Sequence, residues 1–102
     1  MPHHLAFLHT SPVHIATFDR IVQAADPTLR VEHHVDETLL ADAQRVGAAD
    51  AALVQRVHDA MRSAAAQGAP LVVCTCSTIG AAAECTPRLD GFSVARIDRA
   101  MA

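Results

Sequence analysis

The chain has 102 residues, 51% of them hydrophobic and 19% charged, with a formal net charge of −3 at pH 7. That length suits one small domain with a core of its own, and the composition excludes a disordered chain. The basic residues are all arginine but the net charge is negative, and Trp and Tyr are absent, so a nucleic-acid partner is not indicated, and no run approaches the roughly 18 apolar residues of a membrane span.

The N-terminal Met1-Pro2-His3-His4 lacks the basic and apolar regions of a signal peptide. Three cysteines, an odd number with two of them at Cys74 and Cys76 and the third at Cys85, do not make a disulfide framework, which predicts thiols and a cytoplasmic protein. Leu5 to His9 is read as the first strand. Thr10-Ser11-Pro12 follows, with capping hydroxyls and a proline at the first helical position. Val13, Ile15, Ala16, Phe18, Ile21, Val22 and Ala25 recur at the spacing of one helix, which Asp26-Pro27 ends.

The second strand is read over Leu29 to Val35, with Leu29, Val31, His33 and Val35 on one face and Arg30, Glu32 and His34 on the other. Asp36 caps a short helical piece through Leu39 and Leu40, and Gly47 marks a break. A long helix runs from about Ala49 to Ala66 and stops at Gly68 and Pro70. Leu71 to Cys74 is a buried strand, followed by a helix from Ser77 or Thr78 to about Glu84. Phe92 to Ile97 is a fourth strand, and Asp98-Arg99-Ala100-Met101-Ala102 begins a further helix.

Strands separated by helices imply parallel pairing. The expected fold is a single α/β domain over 1–102: a four-stranded parallel sheet in the order 2-1-3-4, flanked by helices in the manner of a flavodoxin-like half-domain. The first and third strands are then neighbours at the topological switch point. Their carboxyl ends bring His9, Thr10 and Ser11 close to Cys76, Ser77 and Thr78, where an open α/β sheet binds its ligand.

The run Val72-Val73-Cys74-Thr75-Cys76-Ser77-Thr78 resembles the first cysteine motif of the aspartate/glutamate racemase superfamily, in which an apolar strand ends in Cys-Asn-Thr. The loop His9-Thr10-Ser11-Pro12-Val13-His14 sits where that superfamily places its first substrate-binding loop. Val94-Ala95-Arg96-Ile97-Asp98-Arg99-Ala100-Met101 is similar to its fourth strand and the helix start after it. The resemblance spans essentially this whole chain but only the N-terminal half of the family's length.

The resemblance implies two facing α/β halves, each giving one cysteine that acts as acid or base on opposite sides of a carbon next to a carboxylate. Carried over, Cys76 is the catalytic thiol, Thr78 contacts the substrate carboxylate, Ser77 stands at the asparagine position, and Thr10 and Ser11 add donors. Three departures stand out: Ser77 replaces asparagine, the first loop lacks Asp-Ser-Gly, and the second half is missing. They leave racemisation open against the isomerisations and decarboxylations of other superfamily members. No cofactor is implied.

The chemistry also has a physical basis. A carbon acid beside a carboxylate needs a thiolate base and donors for the developing enolate. A helix N-terminus just after Cys76 is expected to favour that thiolate. Each residue has a plainer reading as well. Cys74 inside the strand is a small core residue, Cys85 is a packing or surface residue, and Ser77, Thr78 and Ser11 are ordinary helix caps.

Seven histidines raise a metal reading through His3, His4, His9 and His14 with Cys74 and Cys76. The spacing argues against it, because no second Cys-x-x-Cys or His-x-x-x-His pair is present and the two thiols are expected to diverge. No metal is therefore assigned, and His9 is the histidine expected to border the cleft. The expected partners are a small carboxylate substrate and a homo-oligomer or partner half-domain. The alternative is a non-catalytic carboxylate-binding domain, or a truncated dimerising one.

Overall fold

The computed structural model describes residues 4–66, 68–85 and 92–96. Its elements follow in the order β1 (His4–His9), a 3-10 turn (Pro12–His14), α1 (Ile15–Ala25), β2 (Arg30–Val35), α2 (Glu37–Val46), α3 (Ala51–Ala65), β3 (Leu71–Cys74), α4 (Gly80–Glu84) and β4 (Ser93–Arg96). The expected helix start over 98–102, and the end of the fourth strand at Ile97, lie outside the described residues.

All strand pairs are parallel, and the order is β2-β1-β3-β4, with helices on both faces as expected. On one face of the central strands, Ala6, Leu8, Val72 and Cys74 meet Leu39 and Ala43 of α2, Leu53, Val57, Met61 and Ala64 of α3, and Ile79 and Ala83 at α4. On the other face Phe7 and Val73 meet Val22 and Phe18 of α1. Strand alternation separates these two sets, since successive side chains point to opposite faces. Each large side chain buried this way contributes about 1.5–3 kcal/mol. β2 lies at one end of the strand order, and its Arg30, Glu32 and His34 share the face of Ala6 and Leu8 through the register Ala6 with Glu32 and Leu8 with His34.

Local chemistry fixes the element boundaries. The carboxylate of Asp36 accepts from the Thr38 N–H at 3.0 Å, and that of Asp50 accepts from the Leu53 N–H at 3.1 Å, so each satisfies a donor left over in the first turn of its helix. The Asp50 cap starts α3 at Ala51 rather than Ala49. The piece after Asp36 is a full helix of 10 residues, ended by Gly47 at φ 96 and ψ 142, a backbone region that is essentially open to glycine alone. Ser11 accepts from the Val13 N–H at 3.4 Å, and the chain makes a 3-10 turn before α1 begins at Ile15.

Two expectations about the segment after β3 change. The helix there begins only at Gly80 and has 5 residues, with Ile79 at the cap position and no capping side chain. Ser77 and Thr78 instead sit in a turn in which the Gly80 N–H donates to the Ser77 carbonyl at 3.2 Å. Nor do Cys74 and Cys76 diverge. Both pack toward the same apolar cluster, as residues two apart on an extended chain should.

Candidate active site at the carboxyl ends of β1 and β3

The hydrogen-bond ladder runs past the formal strand ends. The Thr75 N–H donates to the Leu8 carbonyl at 3.1 Å, and the Asp36 N–H donates to the His9 carbonyl at 2.9 Å. Thr10 and Ser11 therefore leave β1 beside the segment Thr75 to Thr78 that leaves β3. This is the switch point of the sheet, where the chain leaves β1 toward β2 on one side and returns to β3 on the other.

Of the three cysteines, Cys74 is buried, Cys76 half-buried and Cys85 exposed. The Cys74 thiol donates to the Cys76 carbonyl at 3.5 Å, so it is a core group that also ties down the strand end. Cys76 packs one side against the core cluster and keeps the other accessible. Cys85 instead borders an apolar groove of about 340 Å³ with Ala48, Ala49, Val54, Ala81 and Ala82.

The hydroxyl residues divide. Ser77 and Thr78 are exposed, Thr10 is buried, and Ser11 is half-buried with its oxygen committed to the turn. α4 gives less support to the thiolate at Cys76 than expected, because it begins at Gly80 and a helix dipole acts only within about one turn. A cavity of about 400 Å³ lined by Arg62, Ala65, Ala66, Gly68, Ala69, Pro70 and Phe92 lies at the amino ends of β3 and β4, away from this chemistry.

His9 does not border an open cleft. It is fully buried on the α1 side of the sheet, and both ring nitrogens are engaged. Nδ1 lies 2.7 Å from Thr75 Oγ1, and Nε2 lies 2.8 Å from His33 Nδ1. His33 Nε2 in turn sits 3.5 Å from Asp19 Oδ1, at ion-pair distance from a carboxylate that is half-exposed on α1. The result is a continuous chain, Asp19–His33–His9–Thr75, from the surface to the residue before Cys76.

Aromatic packing holds this chain in place. The rings of Phe7 and His33 are within 8° of parallel at 5.3 Å, those of His9 and His33 within 20° at 5.1 Å, and Phe18 closes the layer at 5.4 Å from Phe7. Burial, then the neighbouring His33 and His14, lower the His9 pKa from 6.5 to about 4. A buried imidazolium would lose its hydration and face two further imidazoles. His9 is thus neutral near pH 7, with one nitrogen donating and the other accepting.

A scan against protein-family models, a search of curated proteins and a search of solved structures each gave no match.

A second histidine cluster lies on the opposite sheet face, where Glu32 Oε2 is 3.3 Å from His4 Nε2 and 3.6 Å from His34 Nε2. Among the described residues no group of three or more His, Cys, Asp or Glu has a geometry that could hold a metal ion. No helix among them is long and apolar enough to cross a membrane.

The switch point thus gathers the ends carrying Cys76, Thr10, Ser11, Ser77 and Thr78, while His9 faces inward. Sequence reasoning missed Asp19, His33 and Thr75. Part of the signal was present, since the alternation of β2 had already put His33 on the face opposite Glu32 and His34. What was lacking was the register: Phe7, not His9, is opposite His33, and His9 reaches it diagonally.

Proposed function

We propose that the chain is one half of a cofactor-independent racemase or isomerase site, in which the Cys76 thiolate is the acid/base at the carbon next to the carboxylate of a small substrate. One observation carries this reading: Cys76 is a partly accessible thiol at the carboxyl end of central strand β3, at the switch point of the sheet. In the forward step the substrate C–H bond breaks, its proton passes to Cys76 Sγ, and the electron pair moves into the carboxylate as an enolate. A second acid on the opposite face then donates a proton to the same carbon. The exposed hydroxyls of Ser77 and Thr78 would bind the carboxylate, and Thr10 and Ser11 would line the β1 side.

The second acid comes from another chain in this reading, either a second copy or a partner half-domain. Val13 and Ile21 favour association, because these apolar side chains are 72% and 57% exposed and Val13 directly follows the Ser11-Pro12 loop at the site edge. Their exposure also suits the second reading, a carboxylate-binding or dimerising domain without catalysis. A cytoplasmic setting fits the thiol chemistry of both readings.

The deciding experiment is alkylation of the folded chain across pH 5–9, read at each cysteine by mass spectrometry. It is paired with deuterium exchange at the α-carbon of a panel of small carboxylates. Cys76 should be alkylated in the folded chain while Cys74 is not, and exchange should vanish in Cys76→Ser. If Cys76 is as inert as Cys74, or exchange survives in Cys76→Ser, the thiol acid/base reading fails. Sedimentation at micromolar concentration tests association, and a monodisperse monomer would exclude a homo-oligomer.

A further inference from the structure

The reaction proposed above makes no use of the chain Asp19–His33–His9–Thr75, yet its proton count is informative. Two arrangements satisfy both ring nitrogens of His9, His33 Nδ1 and the Thr75 hydroxyl, with His33 Nε2 at ion-pair distance from Asp19 in each. In the first, all imidazoles are neutral: the Thr75 hydroxyl donates to His9 Nδ1, the His9 Nε2–H donates to His33 Nδ1, and the His33 Nε2–H faces the Asp19 carboxylate. In the second, His33 holds one more proton. It then donates through Nδ1 to His9 Nε2, the His9 Nδ1–H donates to Thr75 Oγ1, and the displaced Thr75 hydroxyl turns to another acceptor.

That acceptor is in place. The Leu8 carbonyl lies 3.3 Å from Thr75 Oγ1, so the hydroxyl has a partner in either arrangement and no buried donor is stranded. One proton gained at the exposed end therefore reverses each hydrogen bond as far as Thr75. The extra charge stays on His33, where the Asp19 carboxylate faces it, rather than on buried His9. Among the described residues, the titratable groups that face His33 and His9 are each other, Asp19 on α1 and His14 on the 3-10 turn, and the hydroxyl of Thr75, just past β3, faces His9.

We propose that His9 and Thr75 are positioning residues for Cys76, and that protonation at the Asp19–His33 end reaches the site as a reversal of hydrogen-bond direction. The Thr75 amide already hangs on the Leu8 carbonyl. The reversal adds or removes a second hydrogen bond at that carbonyl and swings the hydroxyl dipole one peptide away from Cys76. The link to Cys76 rests on the acid/base reading given above, whereas the reversal itself does not.

The test follows imidazole nitrogen signals of the histidine-labelled chain by NMR between pH 5 and 8, alongside Cys76 alkylation rates. His9 should remain neutral while its tautomer changes from Nε2–H to Nδ1–H as His33 takes up its proton. Asp19→Asn should move the change to lower pH, because it removes the carboxylate that favours the His33 cation. Thr75→Val should leave the His9 tautomer change in place but cut its link to Cys76, and Thr75→Ser should restore that link, an outcome that loss of packing alone would not give. The Cys76 rate should step at the pH of the tautomer change in the native chain and lose that step in Thr75→Val.

A single His9 tautomer over the whole range would overturn the reversal. A tautomer change with no step in a reactive Cys76 would overturn the positioning role. A tautomer change with Cys76 inert at every pH would support the reversal and remove the acid/base reading instead, so the two failures are distinguishable.

Discussion

Acid should destabilise the fold through one buried side chain. Free imidazole in an unfolded chain titrates near 6.5, whereas folded His9 titrates only at about 4. Between those values the unfolded state binds the extra proton and the folded state does not, so stability rises with pH across the window. The contribution is complete above pH 6.5, is lost progressively as pH falls toward 4, and does not change further below that.

Each pH unit in the window is worth about 1.4 kcal/mol, so the total is roughly 3 kcal/mol. That is a large share of the roughly 5–15 kcal/mol that holds a domain folded. The assay is urea unfolding at half-unit steps from pH 7.5 to 4, on the native chain and on His9→Gln. The native chain should lose roughly 3 kcal/mol more than the variant across the window. That difference is read from slopes and does not depend on how stable the variant is at neutral pH. Parallel curves would refute the assignment of this titration to His9. Asp42 does not confound the comparison. Its hydrogen bond from Arg56 lowers its carboxyl pKa, so what it contributes is present above the ordinary carboxylate range and is lost only at lower pH.

Met61 is fully buried among the α2, α3 and sheet side chains, and Met61→Ala should cost about 2–5 kcal/mol in urea unfolding; a cost below 1 would show that the site collapses around the cavity. Asp50→Ala removes the α3 cap and should lower stability by about 1 kcal/mol, and an unchanged melting temperature would count against the cap. Gly47 has nothing within 4 Å of the position a Cβ would take, but its φ is +96, so Gly47→Ala should cost about 1–3 kcal/mol through backbone strain alone; a neutral result would mean that the turn relaxes. Cys74 should resist alkylation until the chain unfolds, and its labelling rate in rising urea should follow global stability. Native-state labelling faster than that would contradict its burial.

The sheet order was legible because each apolar run is short, β-rich and separated from the next by a helix-length segment, which leaves little besides parallel crossovers. The strand-end thiol was legible for the same reason: Leu71-Val72-Val73 can only be an interior strand, so Cys76 had to emerge at its carboxyl end. Ser77 and Thr78 misled because hydroxyls before an alanine run suit a cap, whereas the backbone spends those residues on a turn closed by Gly80. The histidine chain was hidden for a different reason. It links residues 19, 33, 9 and 75 through contacts between strands and a helix, and only the pairing register brings a diagonal neighbour within reach.

The end position of β2 in the sheet bears on how copies of this chain can meet. An open strand edge is a template on which another chain can add itself, and such edges are commonly blunted by charged side chains. Arg30, Glu32, His33 and His34 occupy four of the six positions of β2, and a like strand laid parallel and in register along it would set these ionisable groups against their own copies. Fibrous growth through that edge is therefore discouraged by the desolvation that such pairing would impose on these side chains.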